Sequence, residues 1–326
     1  MIDFDKTLSN YKKYTISLEK LIPLGNGKIF GKCSIKKCYI FNKDFQIITV
    51  INLQNSSRFL DAIQLKSKEV LLLGENELLI FNPKTFKLLS KMILNNDNFG
   101  VPERMFQLSD STIALCYSAL FFIDIVKKNK ENKLDSVKII KTKYGFYSAC
   151  EINDNNIAYN CTLNYKSSLF DIYFTHNDKC IENLYFTCSR DSLFYFKKKY
   201  LLALGGRYLY LIDLNKYELI NNITIENNNF NYDEKYLCVF NNYILMPGLK
   251  YVLFLLKWKE ENKNLEFINS YDLSEVIEES SVYKQFPNYS WNCYCQKPML
   301  HLLNNKIFAT EIGDYTLSFD LIFGNK

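Results

Sequence analysis

"YLLALGGRYLYLIDLNKYELINNITI", residues 200–225, alternates short β-rich runs with turn-forming residues. Residues 200–204 and 208–212 flank Gly205-Gly206-Arg207, and 218–225 follow a turn at 213–216. Two such runs around a Gly-Gly pair read as a hairpin, and the third run extends it to a meander. No helix follows the glycines, so the dipole that lets a glycine loop hold phosphate is missing. Upstream, "DSLFYF" at 191–196 supplies a fourth, innermost strand.

The unit recurs. "FLDAIQLKSKEVLLLGENELLIFNPKTFKLLSKMIL" begins at Phe59, "RMFQLSDSTIALCYSALFFIDIV" at Arg104, "KIFGKCSIKKCYIFNKDFQIITVINL" at Lys28 and "MLHLLNNKIFATEIGDYTLSFDLIF" at Met299. An apolar residue followed by Asn or Asp is expected to close each third strand. It stands at Phe41-Asn42, Phe81-Asn82, Ile123-Asp124, Phe170-Asp171, Ile212-Asp213 and Phe319-Asp320. The steps are about 40, 42, 47, 42 and 107 residues, and "YLCVFNNYILMPGLKYVLFLLKW" at 236–258 fills the long one. Seven four-stranded units at this period predict an all-β chain, a seven-bladed β-propeller of four-stranded antiparallel blades. The last unit has three clear strands, so residues 11–18, "YKKYTISL", are expected to pair with it and close the ring. One domain over 1–326 follows, with an irregular insertion at 274–298.

"IFNPKTFKLL", "LIDLNKYELI" and "IFNKDFQIITV" resemble the third-strand, turn and fourth-strand segment of WD40 repeats. Phe-Asn or Ile-Asp stands where that family has Trp-Asp. The family's Gly-His dipeptide is absent, so its Asp-His-Ser/Thr-Trp network does not carry over. The resemblance implies a degenerate WD40-like propeller, with kelch or another seven-bladed family open.

Composition agrees with a large core: 48% of the 326 residues are hydrophobic, 16% aromatic and 23% charged. A net charge of +5 is mild, so nucleic acid is not indicated as a partner. The start, "MIDFDKTLSN", lacks the pattern of a signal peptide, and no apolar run spans a bilayer. The expected compartment is the cytoplasm, with the nucleus left open, and the ten cysteines read as buried thiols.

No Gly-x-Ser-x-Gly, His-Glu-x-x-His or Walker loop is present. Cys33 with Cys38, and Cys293 with Cys295, lack the second pair a zinc site needs, so no metal and no cofactor is expected. His176 reads as a loop residue. His301, on an innermost strand, reads as structural or as facing the channel. Only four of the 40 basic residues are arginine: Arg58, Arg104, Arg190 and Arg207. Three stand at starts of first strands and Arg207 on a second-to-third turn, which places all four on one face. There they either bind an acidic or phosphorylated partner or pair locally between blades. The insertion adds Tyr283, Phe286, Tyr289, Trp291 and Tyr294, candidates for a partner interface or for docking on the protein's own surface.

These features lead to the expectation of a non-enzymatic scaffold that holds a protein or peptide on its top face through Arg58, Arg104, Arg190, Arg207, Tyr289 and Trp291. Two alternatives stand beside it. One is a propeller binding RNA or a phosphate-bearing ligand. The other is an enzyme with its site at the channel mouth, for which Asp61 and His301 are the visible acid–base groups.

Overall fold

The computed structural model describes residues 2–24, 27–32, 37–52, 59–85, 87–94, 100–102, 104–117, 120–143, 145–153, 155–161, 169–175, 179–185, 193–205, 208–224, 238–247, 252–273, 299–303, 306–312 and 315–322. Twenty-eight strands form seven four-stranded antiparallel sheets arranged as the blades of a propeller. Blades 1 to 6 take residues 20–52, 59–93, 104–141, 146–185, 193–224 and 238–272. Blade 7 combines Met299–Leu303, Lys306–Ile312 and Tyr315–Asp320 with the N-terminal strand Tyr11–Tyr14 as its outer member. In that closure Tyr11 lies opposite Phe319 and Tyr14 opposite Thr316. No helix among the described residues is long and apolar enough to cross a membrane.

The strands are apolar on both faces because each blade has a neighbour on both sides. The middle strands Val70–Gly74, Glu77–Phe81 and Ile113–Tyr117 are buried along their whole length. There is no common centre. The buried side chains divide into seven clusters, one at each junction between successive blades. Cys38, Cys116, Cys161 and Cys238 belong to these clusters as buried thiols outside any disulfide.

Turn chemistry explains the sequence marker. The Asn42 side chain accepts from the Asp44 and Gln46 amides, both at 2.9 Å. Asn82 accepts from Lys84 and Thr85, and Asp213 from Asn215. A short acceptor side chain bonding the amide two residues on starts the turn. In blade 3 the marker misplaces the turn. Asp124 lies inside the strand Phe122–Lys128, and Asn129 makes the corresponding bonds to Glu131 and Lys133. Asp171 likewise lies inside Leu169–Phe174. In six blades the third and fourth strands slip register, with one bulge each. The extra residue falls on the outer strand, at Ile48, Leu89, Val137 and Ile268 among others, and explains the exposed apolar rim.

The ends of the chain lock the ring. The helix Phe4–Ser9, capped by Asp3, buries Phe4 and Leu8 in the core between blades 6 and 7. The Asp3 amide donates to the Ile322 carbonyl at 2.8 Å, and the Ile322 amide donates to Thr7 Oγ1 at 3.0 Å. At the seam between blades 7 and 1, Phe45 stacks on Phe41 at 4.2 Å and meets Tyr14 and Phe308, each at 4.7 Å. Deleting residues 1–18 therefore removes a strand and three buried apolar side chains, a loss of at least about 5 kcal/mol. A thermal melt followed by circular dichroism checks this, and an unchanged curve refutes the closure.

Candidate active site on the inner strands

Each inner strand ends on an apolar residue that opens the first turn: Leu24, Leu65, Leu108, Ile152, Phe196, Phe240 and Leu303. The pairing register confirms the equivalence, since the residue just before each lies opposite the second or first residue of the next strand's apolar run: Gln64 opposite Val70, Gln107 opposite Ile113, Glu151 opposite Ile157, Leu302 opposite Ile307. Counting back from that residue aligns the seven inner strands as KLIPL, DAIQL, RMFQL, SACEI, SLFYF, YLCVF and MLHLL.

Two positions of this alignment matter. The first carries Lys20, Asp61, Arg104 and Ser148 in the first four blades. The third carries Ile22, Ile63, Phe106, Cys150, Phe194 and Cys238, and then His301. Side chains at both positions point toward the following blade. Ile22 packs with blade 2 residues, and Cys238 with blade 7 residues. The imidazole thus occupies a seat that six blades give to an apolar or thiol side chain, and it is buried there.

The first position staples blades together. Ser148 Oγ accepts the Leu193 amide of blade 5 at 3.3 Å. Asp61 does the same for blade 3, its Oδ2 accepting the Met105 amide at 3.1 Å, while Oδ1 takes the Ala62 amide at 2.8 Å. Asp61 differs from Ser148 in also reaching back to blade 1, where Lys20 Nζ donates to Oδ1. Beside Lys20, the buried Lys32 ammonium donates to Glu19. Charges this poorly exposed to water persist because each is paired and hydrogen-bonded.

Lys20 also acts on His301 across the seam. Burial first, then the Lys20 charge, pushes the His301 imidazole down to about 3, so it is a free base at neutral pH. Lys20 of blade 1 therefore links two titratable groups, bonding Asp61 of blade 2 and acting through its charge on His301 of blade 7. Neutral imidazole offers one donor and one acceptor nitrogen, and the ammonium beside it stabilises negative charge on a bound oxygen. Among the described residues no group of three or more His, Cys, Asp or Glu side chains is spaced to hold a metal ion.

Of the sequence-predicted partner residues, the structure places Arg104. It starts the inner strand of blade 3 opposite Cys116, half-buried, in the same ring position as Lys20 and Asp61. Arg58, Arg190, Arg207, Tyr289 and Trp291 lie outside the described residues, as do His176, Cys33, Cys293 and Cys295. Asp61 and His301 each interact with Lys20, which the sequence reading missed. Its signal lay in the alignment of KLIPL with DAIQL, hidden because the first blade was read as starting at Lys28.

No protein-family model matches the chain, and no curated protein matches it in sequence. Solved structures do match in shape. The selenomethionine-substituted virginiamycin B lyase from Staphylococcus aureus matches with a TM-score of 0.64 and 12% identity, over 96% of this chain and 100% of its own. A catalytically inactive variant of that lyase, with a histidine changed to alanine and quinupristin present, matches with the same score, identity and coverage. U3-55K matches with a TM-score of 0.63 and 8% identity, over 96% of this chain and 99% of its own. At these identities the likeness is one of fold.

These neighbours correct the expectation of a non-enzymatic scaffold without catalytic activity. A body of this build, matched over nearly the whole chain, is an enzyme in the lyase. Linear motifs do not test this expectation, for a geometric reason. Linear motifs such as Gly-x-Ser-x-Gly report sites built on one turn or helix, whereas a propeller assembles its site from inner strands about 40 residues apart. The absence of such motifs therefore carried no weight.

Two outcomes are expected from substitution. Asp61→Ala leaves the Lys20 ammonium and the Met105 amide without their acceptor and costs about 3 kcal/mol in chemical denaturation, with Asp61→Asn costing less. For His301, the unfolded chain takes up a proton near pH 6.5 and the folded protein only near 3. Stability from this group is thus full above the unfolded value and falls as pH drops from about 6.5 toward 3, at up to about 1.4 kcal/mol per pH unit. His301→Leu, which restores the apolar residue of the other blades, flattens that part of a stability-against-pH curve.

Proposed function

We propose that the chain is an enzyme with its active site at the channel mouth, where His301 transfers a proton and Lys20 anchors an oxygen of a small-molecule substrate. The carrying observation is Lys20, which bonds Asp61 and acts on His301 across the seam, with the imidazole in a seat that other blades give to an apolar or thiol side chain. The reaction class that fits is elimination. His301 removes a proton from carbon next to a carbonyl, the electron pair forms a carbon–carbon double bond, and the leaving group departs with its bonding electrons. Lys20 stabilises the charge that builds on the carbonyl oxygen, held in place by Asp61. An anionic oxygen seated on Lys20 offsets part of the charge that depresses His301, so the base strengthens when substrate is bound.

One further point supports this reading. The virginiamycin B lyase is inactive in a form that lacks one histidine, and this chain's buried histidine sits on an inner strand of the same fold. The blades themselves read as WD40-like in their third-strand turns, with an Asx turn at Asn42, Asn82 and Asp213 in the place of Trp-Asp.

Incubation with quinupristin and a panel of linear and cyclic esters, followed by chromatography, tests the proposal. His301→Ala and Lys20→Met are expected to lower turnover by roughly a hundredfold or more while remaining folded at neutral pH. Undiminished turnover in His301→Ala, or no turnover of any substrate by the unaltered chain, counts against it.

A further inference from the structure

The outer corner of blade 3 carries a groove of about 370 Å³ lined by Leu120, Phe121, Phe122, Ile139, Lys141 and Thr142. Its size falls within the range of small-molecule sites, roughly 300–1,000 Å³. Most exposed apolar residues on the rim follow from the bulges, but Leu120 and Phe121 do not. They stand at the turn into the third strand, 42% and 44% exposed, where the described turn of blade 2 carries Glu75 and Asn76. Phe121 holds φ at +62°, a left-handed backbone that bulky side chains resist. The groove is built rather than loose. The Thr142 amide donates to the Phe121 carbonyl at 2.8 Å, and Phe122 stacks on Tyr117 at 4.4 Å.

The chemistry of the lining selects an occupant. Four large apolar side chains form the walls, and Lys141, exposed at the rim, is the single charge. Among the described residues no carboxylate pairs with it. An apolar wall alone would accept any greasy body. An uncompensated ammonium at its edge favours one that ends in a negative charge. We infer that the groove between Phe121 and Ile139 is a binding site for a linear amphiphilic carboxylate, with the acyl chain along the apolar wall and the carboxylate on Lys141. The site lies at the outer edge of blade 3, separate from the channel-mouth cluster, and stands whether or not that cluster is catalytic.

Titration calorimetry on the full chain with dodecanoate and with dodecanol tests it, below the concentration at which either forms micelles. Dodecanoate is expected to bind one per chain and more tightly than dodecanol. Lys141→Glu weakens dodecanoate about fivefold and leaves dodecanol unchanged. Phe121→Ser weakens both by roughly tenfold. Equal affinity for the acid and the alcohol, an undiminished dodecanoate affinity in Lys141→Glu, or no saturable binding overturns the inference. The acid–alcohol comparison is made on the unaltered protein, so it decides even where a variant folds poorly.

Discussion

Everything in this protein depends on burial between blades. A single blade is a small twisted sheet with two apolar faces and cannot hide either one alone. Each of the seven cores belongs to two blades and to no others. The stability of the ring is therefore a chain of nearest-neighbour contacts, and closure gives both end blades a second partner. The polar ties follow the same logic. The Ser109 amide donates to Glu151, the Asp110 amide to Asn155, and Lys197 to Asn242, each reaching to the following blade. The seam between blades 7 and 1 is the one junction that local chain connectivity does not supply. It is there that the N-terminal strand and the Phe45 aromatic cluster are gathered, with the helix packed one junction away, between blades 6 and 7.

The candidate site grows from this same constraint. Inner-strand side chains alternate between the two neighbouring blades, so a polar residue placed on them finds its partner across a junction. Asp61 finds two, in blades 1 and 3, and so serves the architecture and the cluster together. His301 lies at the seam itself. A proton there would put a second positive charge beside Lys20 in a buried place, which is why burial and charge act in the same direction on its imidazole.

The fold was legible in the sequence because its signals are local and repeated. Gly205-Gly206 marked a hairpin, Asn42 and Asn82 marked turns, and the spacing between them gave the blade count. Where blades lengthen the signal drifted, as at Asp124, which pairs with Ser136 across two strands instead of starting a turn. The site was legible only in part. Asp61 and His301 stood out by chemistry. Lys20 did not, because lysine is abundant here and only the register reveals that it shares a position with Asp61.

The bulged outer strands have a consequence for the life of the molecule in a crowded solution. A propeller presents a free strand edge on every blade, and a straight edge would recruit strands from other molecules into a growing sheet. In six blades the edge is bent by one surplus residue, which breaks the even spacing of amides and carbonyls that such recruitment needs. The seventh edge, without a register shift, is the four-residue N-terminal strand, too short to template much and bearing Lys12 and Lys13. The repeat thus encodes a safeguard against self-association along with the shape of the blade.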